Sequence, residues 1–324
     1  MFRNPQTSLS FLEPEKVNFR FSGHESFPCR YAWLPKAYLG IEEKPTLFSI
    51  EEDAMVNLGV GKNMARAIRF WVQATGIAAP FKDGGLKVTD FGRALLSKNG
   101  FDPFLEDVRT LWLIHWKLSS HVNEPLFAWN YLLNNWHHPE ISRTEVLPIF
   151  KKKSEQLDRK LSPITLEQHF DVFLHTYVPT RSRKGDIQED NLDCPLVELE
   201  LIVKAGERVV DNTGKREPIY AFRWEEKPEI TPELFDYCLA EYWQMHFPNE
   251  QEISFRDVAF SSGSPGQIFK IPEWDIRRRL DDFAKDPNAA FTYVESAALP
   301  RIRKNVDFTD DLLKQIYKPK AAYA

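Results

Sequence analysis

Arg20, His24, Glu25 and Arg30 fall within one short segment, Asn18–Arg30, NFRFSGHESFPCR. A guanidinium can clamp a phosphate. An imidazole titrating near ~6.5 can move a proton at neutral pH. A carboxylate can orient that imidazole, activate water or hold a divalent ion. Held on one strand-to-loop corner, these groups suit phosphate binding and proton transfer. The same residues also suit a solvated strand end that caps a turn, because charged side chains are mostly exposed. Arg30 fits a phosphate contact or a plain salt bridge equally well.

The elements that would position them follow from periodicity. Val17, Phe19 and Phe21 alternate with Asn18, Arg20 and Ser22, the pattern of a half-buried strand. Gly23 breaks it and Pro28 restricts the chain beyond. Glu51–Leu58 reads as a short helix, Gly59-Val60-Gly61 as a turn, and Lys62 to Ala74 as a longer helix. On that helix Met64, Ala67, Ile68 and Trp71 make an apolar side, and Lys62, Arg66, Arg69 and Gln73 a cationic one. The pair resembles a helix-turn-helix, with Gln73 able to reach a base edge. Lys62 and Asn63 at the helix start suit a backbone phosphate. Ile77–Phe81 and Leu86–Thr89 flank Lys82-Asp83-Gly84-Gly85 as a hairpin, and Thr89 caps a helix Asp90–Leu96. This is a winged-helix-like order. The GVGKN run is not a P-loop, since Val56 and Asn63 stand where that motif needs Gly and Ser or Thr.

The remaining chain bounds the class. At 324 residues with 43% hydrophobic content, two or three domains are expected. The net charge of −5 argues against a nonspecific nucleic-acid coat but allows a local basic face. Lys151–Lys153, Arg181–Lys184, Arg277–Arg279 and Arg301–Lys304 are basic clusters. Cys29, Cys194 and Cys238 are scattered, no HExxH or zinc spacing occurs, and no apolar run spans a bilayer. With no signal peptide visible, the expected location is cytoplasmic. Phe101–His121, Phe127–Trp136, Ser142–Lys153 and Thr165–Tyr177 read as a helical scaffold, with His115 as a core histidine. Thr180–Asn191 reads as a linker. Leu196–Val203, Arg208–Val210 and Ile219–Trp224 read as strands around a turn at Asp211–Gly214, and Thr231–His246 as a helix. Ser254–Phe260, the turn Ser261–Gly266, the helix Trp274–Phe283 and the strand Phe291–Val294 suggest a second winged helix. Its basic signal comes from Arg277 and Arg278. The expected fold is α+β and predominantly helical. The expected domains are 1–105 with the motif strand and winged helix, 106–180 as helical scaffold, and 190–324 as an α+β unit.

Three blocks then carry a family resemblance: FRFSGHESFPCRYAWLPKAY at Phe19–Tyr38, LGVGKNMARAIRFW at Leu58–Trp71, and Thr89 to His121 with TDFGRALL and TLWLIHWKL. EDNLDCPLVELELI at Glu189–Ile202 and SPGQIFK at Ser264–Lys270 also fit. Together they resemble the SspB-like bacterial family that sits beside DNA phosphorothioation genes, over about Asn18 to Lys304. The resemblance implies a DNA nickase in phosphorothioate modification and phage defence, acting on double-stranded DNA with a cysteine desulfurase and ATP-using partners. The residues themselves suit that activity, with Arg20 as phosphate clamp, His24 as base or acid, and Glu25 to orient His24, activate water or hold a divalent ion. A divalent cation, Mg2+ or Mn2+, is the one cofactor it allows, with its ligands unassigned, and no nucleotide or organic cofactor is expected. Arg30, Lys62, Asn63, Arg66, Arg69, Gln73, Arg277 and Arg278 are the expected DNA contacts. The alternatives are a noncatalytic DNA-binding specificity subunit that recruits the sulfur enzymes, and a protein scaffold.

Overall fold

The structure, a computed structural model, describes residues 17–157, 159–179, 194–210, 214–285, 289–296, 299–305 and 310–318. The expected linker at Thr180–Asn191 lies outside them, as does most of the turn at Asp211–Gly214. The chain is a mostly helical α+β protein, with small antiparallel sheets among the described residues. One buried apolar cluster runs from Phe21 to Ile316. No helix among the described residues is long and apolar enough to cross a membrane.

The first elements are α1 (Trp33–Glu43), α2 (Glu51–Leu58), α3 (Lys62–Ala74), β1 (Ala78–Pro80), β2 (Leu86–Val88) and α4 (Asp90–Leu96). Gly59 ends α2 in the left-handed region at φ 63°, where a glycine carries no Cβ penalty. Ala67, Ile68 and Trp71 of α3 are buried against α1 and α2. β1 and β2 pair antiparallel, Ala78 with Val88 and Pro80 with Leu86. The Thr89 hydroxyl accepts the Gly92 amide at 2.9 Å and starts α4.

The middle comprises α5 (Val108–Ser119), α6 (Phe127–Asn134), α7 (Arg143–Gln156) and α8 (Pro163–Tyr177). α5 begins later than apolar periodicity suggests. The Asp102 carboxylate accepts the amides of Glu106 and Asp107 at 2.9 and 3.0 Å, which holds a loop, and Asp107 then caps the helix. His115 is a core histidine, 2.7 Å from the Tyr177 hydroxyl and donating through Nε2 to the Ile268 carbonyl at 3.0 Å.

Pro195–Leu199 forms a 3-10 turn where a strand was expected. Pro195 lacks an amide for a ladder and Glu200 turns left-handed at φ 46°, so extended pairing starts only at Ile202. β3 (Ile202–Val210) and β4 (Lys215–Phe222) form a hairpin with a register shift between Lys204 and Gly206. Then follow α9 (Pro232–His246), β5 (Glu252–Ser254), α10 (Phe255–Ala259), α11 (Pro265–Phe269), α12 (Glu273–Asp282), β6 (Phe291–Val294), β7 (Arg301–Lys304) and α13 (Asp310–Ile316). The last sheet has the order β5-β7-β6. α11 extends where only a turn was expected, because the Ser264 hydroxyl caps it and Pro265 occupies its first position.

Candidate functional site

The motif segment is extended but belongs to no sheet. It makes a single parallel bridge, Arg20 to Leu126, with the Arg20 amide donating to Pro125 and its carbonyl accepting from Phe127, both at 2.9 Å. Arg159 donates to the Phe19 carbonyl at 2.7 Å. Phe21 is buried and stacks on Phe127 at 4.5 Å, while Asn18 and Ser22 face solvent. The alternation expected from the sequence therefore survives without a strand partner.

The turn that follows is left-handed at Gly23, Glu25 and Ser26, with φ of 111°, 49° and 63°. Non-glycine residues occupy that region at a cost of order 1–3 kcal/mol, and such strain clusters at functional sites. A Cβ on Gly23 would stand 2.8 Å from Phe70 and 3.2 Å from the Arg20 guanidinium. Gly23→Ala is thus expected to destabilise the protein by about 1–3 kcal/mol and to displace Arg20. Urea unfolding reads the first effect. An unchanged unfolding midpoint would show that the turn is not held as described.

α3 packs against this turn. The Trp71 indole donates to the Phe27 carbonyl at 2.9 Å. Phe70 lies between Arg20, whose guanidinium is 4.8 Å from the ring centre, and His24, which meets it edge-on at 5.7 Å. The sequence's three catalytic candidates are neighbours, but they face different surroundings. His24 is buried, 3% exposed. Its Nε2 is 3.1 Å from Nδ1 of His169, a buried residue of α8, and the rings lie nearly parallel. The Ala128 amide donates to Nε2 of His169 at 2.9 Å. His169 therefore carries its proton on Nδ1 and gives it to His24, whose own proton sits on Nδ1. The Ser26 amide, 3.3 Å from that same Nδ1, is the one contact this proton pattern cannot also keep as a hydrogen bond. Burial, reinforced by the Arg20 charge, pushes His24 down to about 4, and burial holds His169 well below its ordinary value.

Glu25 is partly exposed. The hydrogen bond to Glu51 raises Arg66 above its ordinary value, and the Glu25 charge adds to it. Arg20 lines a cleft of about 60 Å³ with Gln73, His121, Asn123 and Glu124. Asn18 donates to Glu124 at 2.9 Å. His121 donates through Nε2 to the Ala74 carbonyl at 2.8 Å, so in its neutral form the lone pair is on Nδ1. Burial lowers its pKa, opposed by that hydrogen bond and helped by the charges of Lys117 and Arg20. The imidazole beside Arg20 in the cleft is thus His121.

The expected DNA contacts are distributed as follows. Lys62, Asn63 and Arg66 are exposed on α3. Lys62 and Arg66 both pair with Glu51 of α2, the former at 2.8 Å. Arg69 donates to the Phe48 carbonyl, and Gln73 to the Arg69 carbonyl at 3.0 Å. Arg30 lies 5.5 Å over Trp33. Arg277 pairs with Glu273, and Arg278 with Glu226 and Asp275. Arg279 is buried on Asp275. Arg277 and Arg278 are on α12, separate from the cleft residues.

His169 and His121 went unflagged in the sequence reading. His169 occupies the apolar stripe Leu166, Phe170 and Phe173 of α8, a pattern that marks a buried histidine but names no partner. His121 is in a loop after α5, and no local signal pairs it with Arg20.

A family model described as "Protein of unknown function (DUF4007)" matches residues 21–317. The chain belongs to the DUF4007 family. No curated protein matches this DUF4007 chain. Among solved structures it is similar to "Magnesium ion-bound SspB crystal structure", with a TM-score of 0.80 and 26% identity over 95% of this chain and 92% of that one. A second, "SspB crystal structure", aligns with a TM-score of 0.79 at 24% identity over the same shares and bears on the fold alone. The resemblance read from the motifs thus holds as an SspB-like structure across nearly the whole DUF4007 chain.

The magnesium in that relative raises the question of a cation here. No three His, Cys, Asp or Glu side chains among the described residues converge to hold one. In the cleft, Glu124 already accepts from Asn18. The described residues do not fit a preformed cation cage, and no step below is routed through a metal.

Proposed function

We propose that this protein binds double-stranded DNA and nicks one strand, within bacterial phosphorothioate modification and phage defence. The observation that carries the reading is the course of α3. Its first five residues present Lys62, Asn63 and Arg66 to solvent, and its last turn places Gln73 in the Arg20 cleft. At 1.5 Å per residue the helix spans about 20 Å, so cations and cleft lie along one face that DNA can follow. The order α1-α2-α3-β1-β2 is that of a winged helix, with α3 in the groove-entering place. The order of the last sheet, with α10, α11 and α12 between β5 and β6, has the same form.

In the cleft, Arg20 clamps the scissile phosphate and offsets charge on its oxygens. His121 takes the proton of the attacking water on Nδ1. The water oxygen joins phosphorus, the bond to the leaving oxygen breaks, and that oxygen takes its proton from solvent. His24 and Gly23 hold the turn, and Glu51 holds Arg66. The cysteine desulfurase and ATP-using proteins implied by the resemblance are the partners of this nick.

Conversion of supercoiled plasmid to open circles tests the reading. Arg20→Ala is expected to lower the rate about 10²–10³-fold, the usual effect of removing one such electrostatic group. Nicking at the normal rate by a folded Arg20→Ala protein would remove the cleft from the chemistry. A second reading, a noncatalytic specificity subunit, draws on the burial of His24 in its pair with His169. It wins if the protein binds plasmid but leaves it closed, with its partner proteins present.

A further inference from the structure

The basic cluster Arg301–Lys304 forms β7, the central strand of the last sheet. Ile302 is fully buried, so Arg301 and Arg303 stand together on the opposite, solvent face. Their side chains are 56% and 60% exposed. Both reach one carboxylate, Glu252 of β5, at 3.3 and 2.7 Å. These three groups line a cleft of about 210 Å³ with Val294, Ser296 and Leu299. Two guanidiniums sharing one carboxylate leave a formal charge of +1. The neighbouring helix α12 has the opposite balance. Its Arg277, Arg278 and Arg279 meet Glu273, Glu226 and Asp275, and Asp281 and Asp282 follow on the same helix.

We propose that the solvent face of this sheet binds duplex DNA, with Arg301 and Arg303 on backbone phosphates. A phosphodiester oxygen offers the acceptor geometry that Glu252 now supplies, and two guanidiniums can hold adjacent oxygens or adjacent phosphates. Val294 and Leu299, 47% and 57% exposed, give the sugar edge an apolar wall. Glu252 holds the two arginines in place and competes with the DNA. The inference rests on the DNA-binding part of the reading above but not on nicking.

The test is the salt dependence of the full chain's affinity for a short linear duplex. Arg301→Ala with Arg303→Ala is expected to reduce the slope of log K against log salt by about two units, one per phosphate contact. Glu252→Gln is expected to do the reverse, tightening binding at low salt with the slope kept or increased. An unchanged slope in the double variant, with unaltered binding by Glu252→Gln, overturns the proposal and leaves the Arg20 cleft untouched. So does a slope lost only in Arg277→Ala with Arg278→Ala, which would put the duplex on α12. A full chain that binds no duplex at low salt overturns this inference and the proposed function together.

Discussion

His121→Gln is expected to slow plasmid nicking about 10²–10⁴-fold, the range for removing a positioned general base. Gln can still donate to the Ala74 carbonyl, now held by Nε2 of His121 at 2.8 Å. The substitution therefore keeps the loop anchored and removes only the basic nitrogen. DNA affinity should change little, because a neutral imidazole contributes no counterion release. The wild-type pH profile gives an independent check. Burial lowers His121 below its ordinary value, so the base stays unprotonated at pH 7 and the acid limb of the rate falls below ~6.5. A normal rate in His121→Gln, or an acid limb above that value, would place the proton transfer elsewhere in the cleft.

Mild acid should destabilise the protein before most of its carboxylates titrate. His24 and His115 are each pushed from 6.5 to about 4, chiefly by burial, and burial holds His169 well below its ordinary value. Between those values the unfolded chain binds protons that the folded protein refuses. Stability that is fully present above pH 6.5 is therefore lost as pH falls toward 4. Each of the first two histidines contributes about 3 kcal/mol over that span, from 1.36 kcal/mol per unit. From these two alone the slope near pH 5 should be about 2–3 kcal/mol per pH unit, and the burial of His169 acts in the same direction. Urea unfolding at steps between pH 7 and pH 4.5 measures it. A flat profile would mean that the histidines titrate freely, and the His24–His169 pair would then not be closed in solution.

The expected acid sensitivity and the proposed nicking both draw on the segment Arg20–His24, the one through His24 and the other through Arg20. The motif could be read in the sequence, but not its environment. Arg20, His24 and Glu25 looked alike as polar residues on one corner. Packing then separated them: α8 brought His169 under His24, α3 brought Phe70 between His24 and Arg20, and the loop after α5 brought His121 to Arg20. The cationic stripe of α3 was legible as a face, but its partial neutralisation by Glu51 was not, since that pairing depends on how α2 crosses α3.

By itself the sequence determined the elements whose causes are local. The bounds of α2 and α3, the hairpin at Lys82–Gly85, and the caps Thr89 and Thr231 follow from apolar spacing, glycine conformation and hydroxyls placed before helices. It also carried the family motifs, because their residues stand close together in the chain. Only the tertiary structure decided which imidazole meets Arg20, which arginines keep uncompensated charge, and that Arg301–Lys304 is the central strand of a sheet with Arg301 and Arg303 on its solvent face. Each of these turns on groups far apart in sequence, Arg20 with His121, His24 with His169 and Glu252 with Arg303. Protonation and charge there are set by the water excluded and the partners met when distant segments pack.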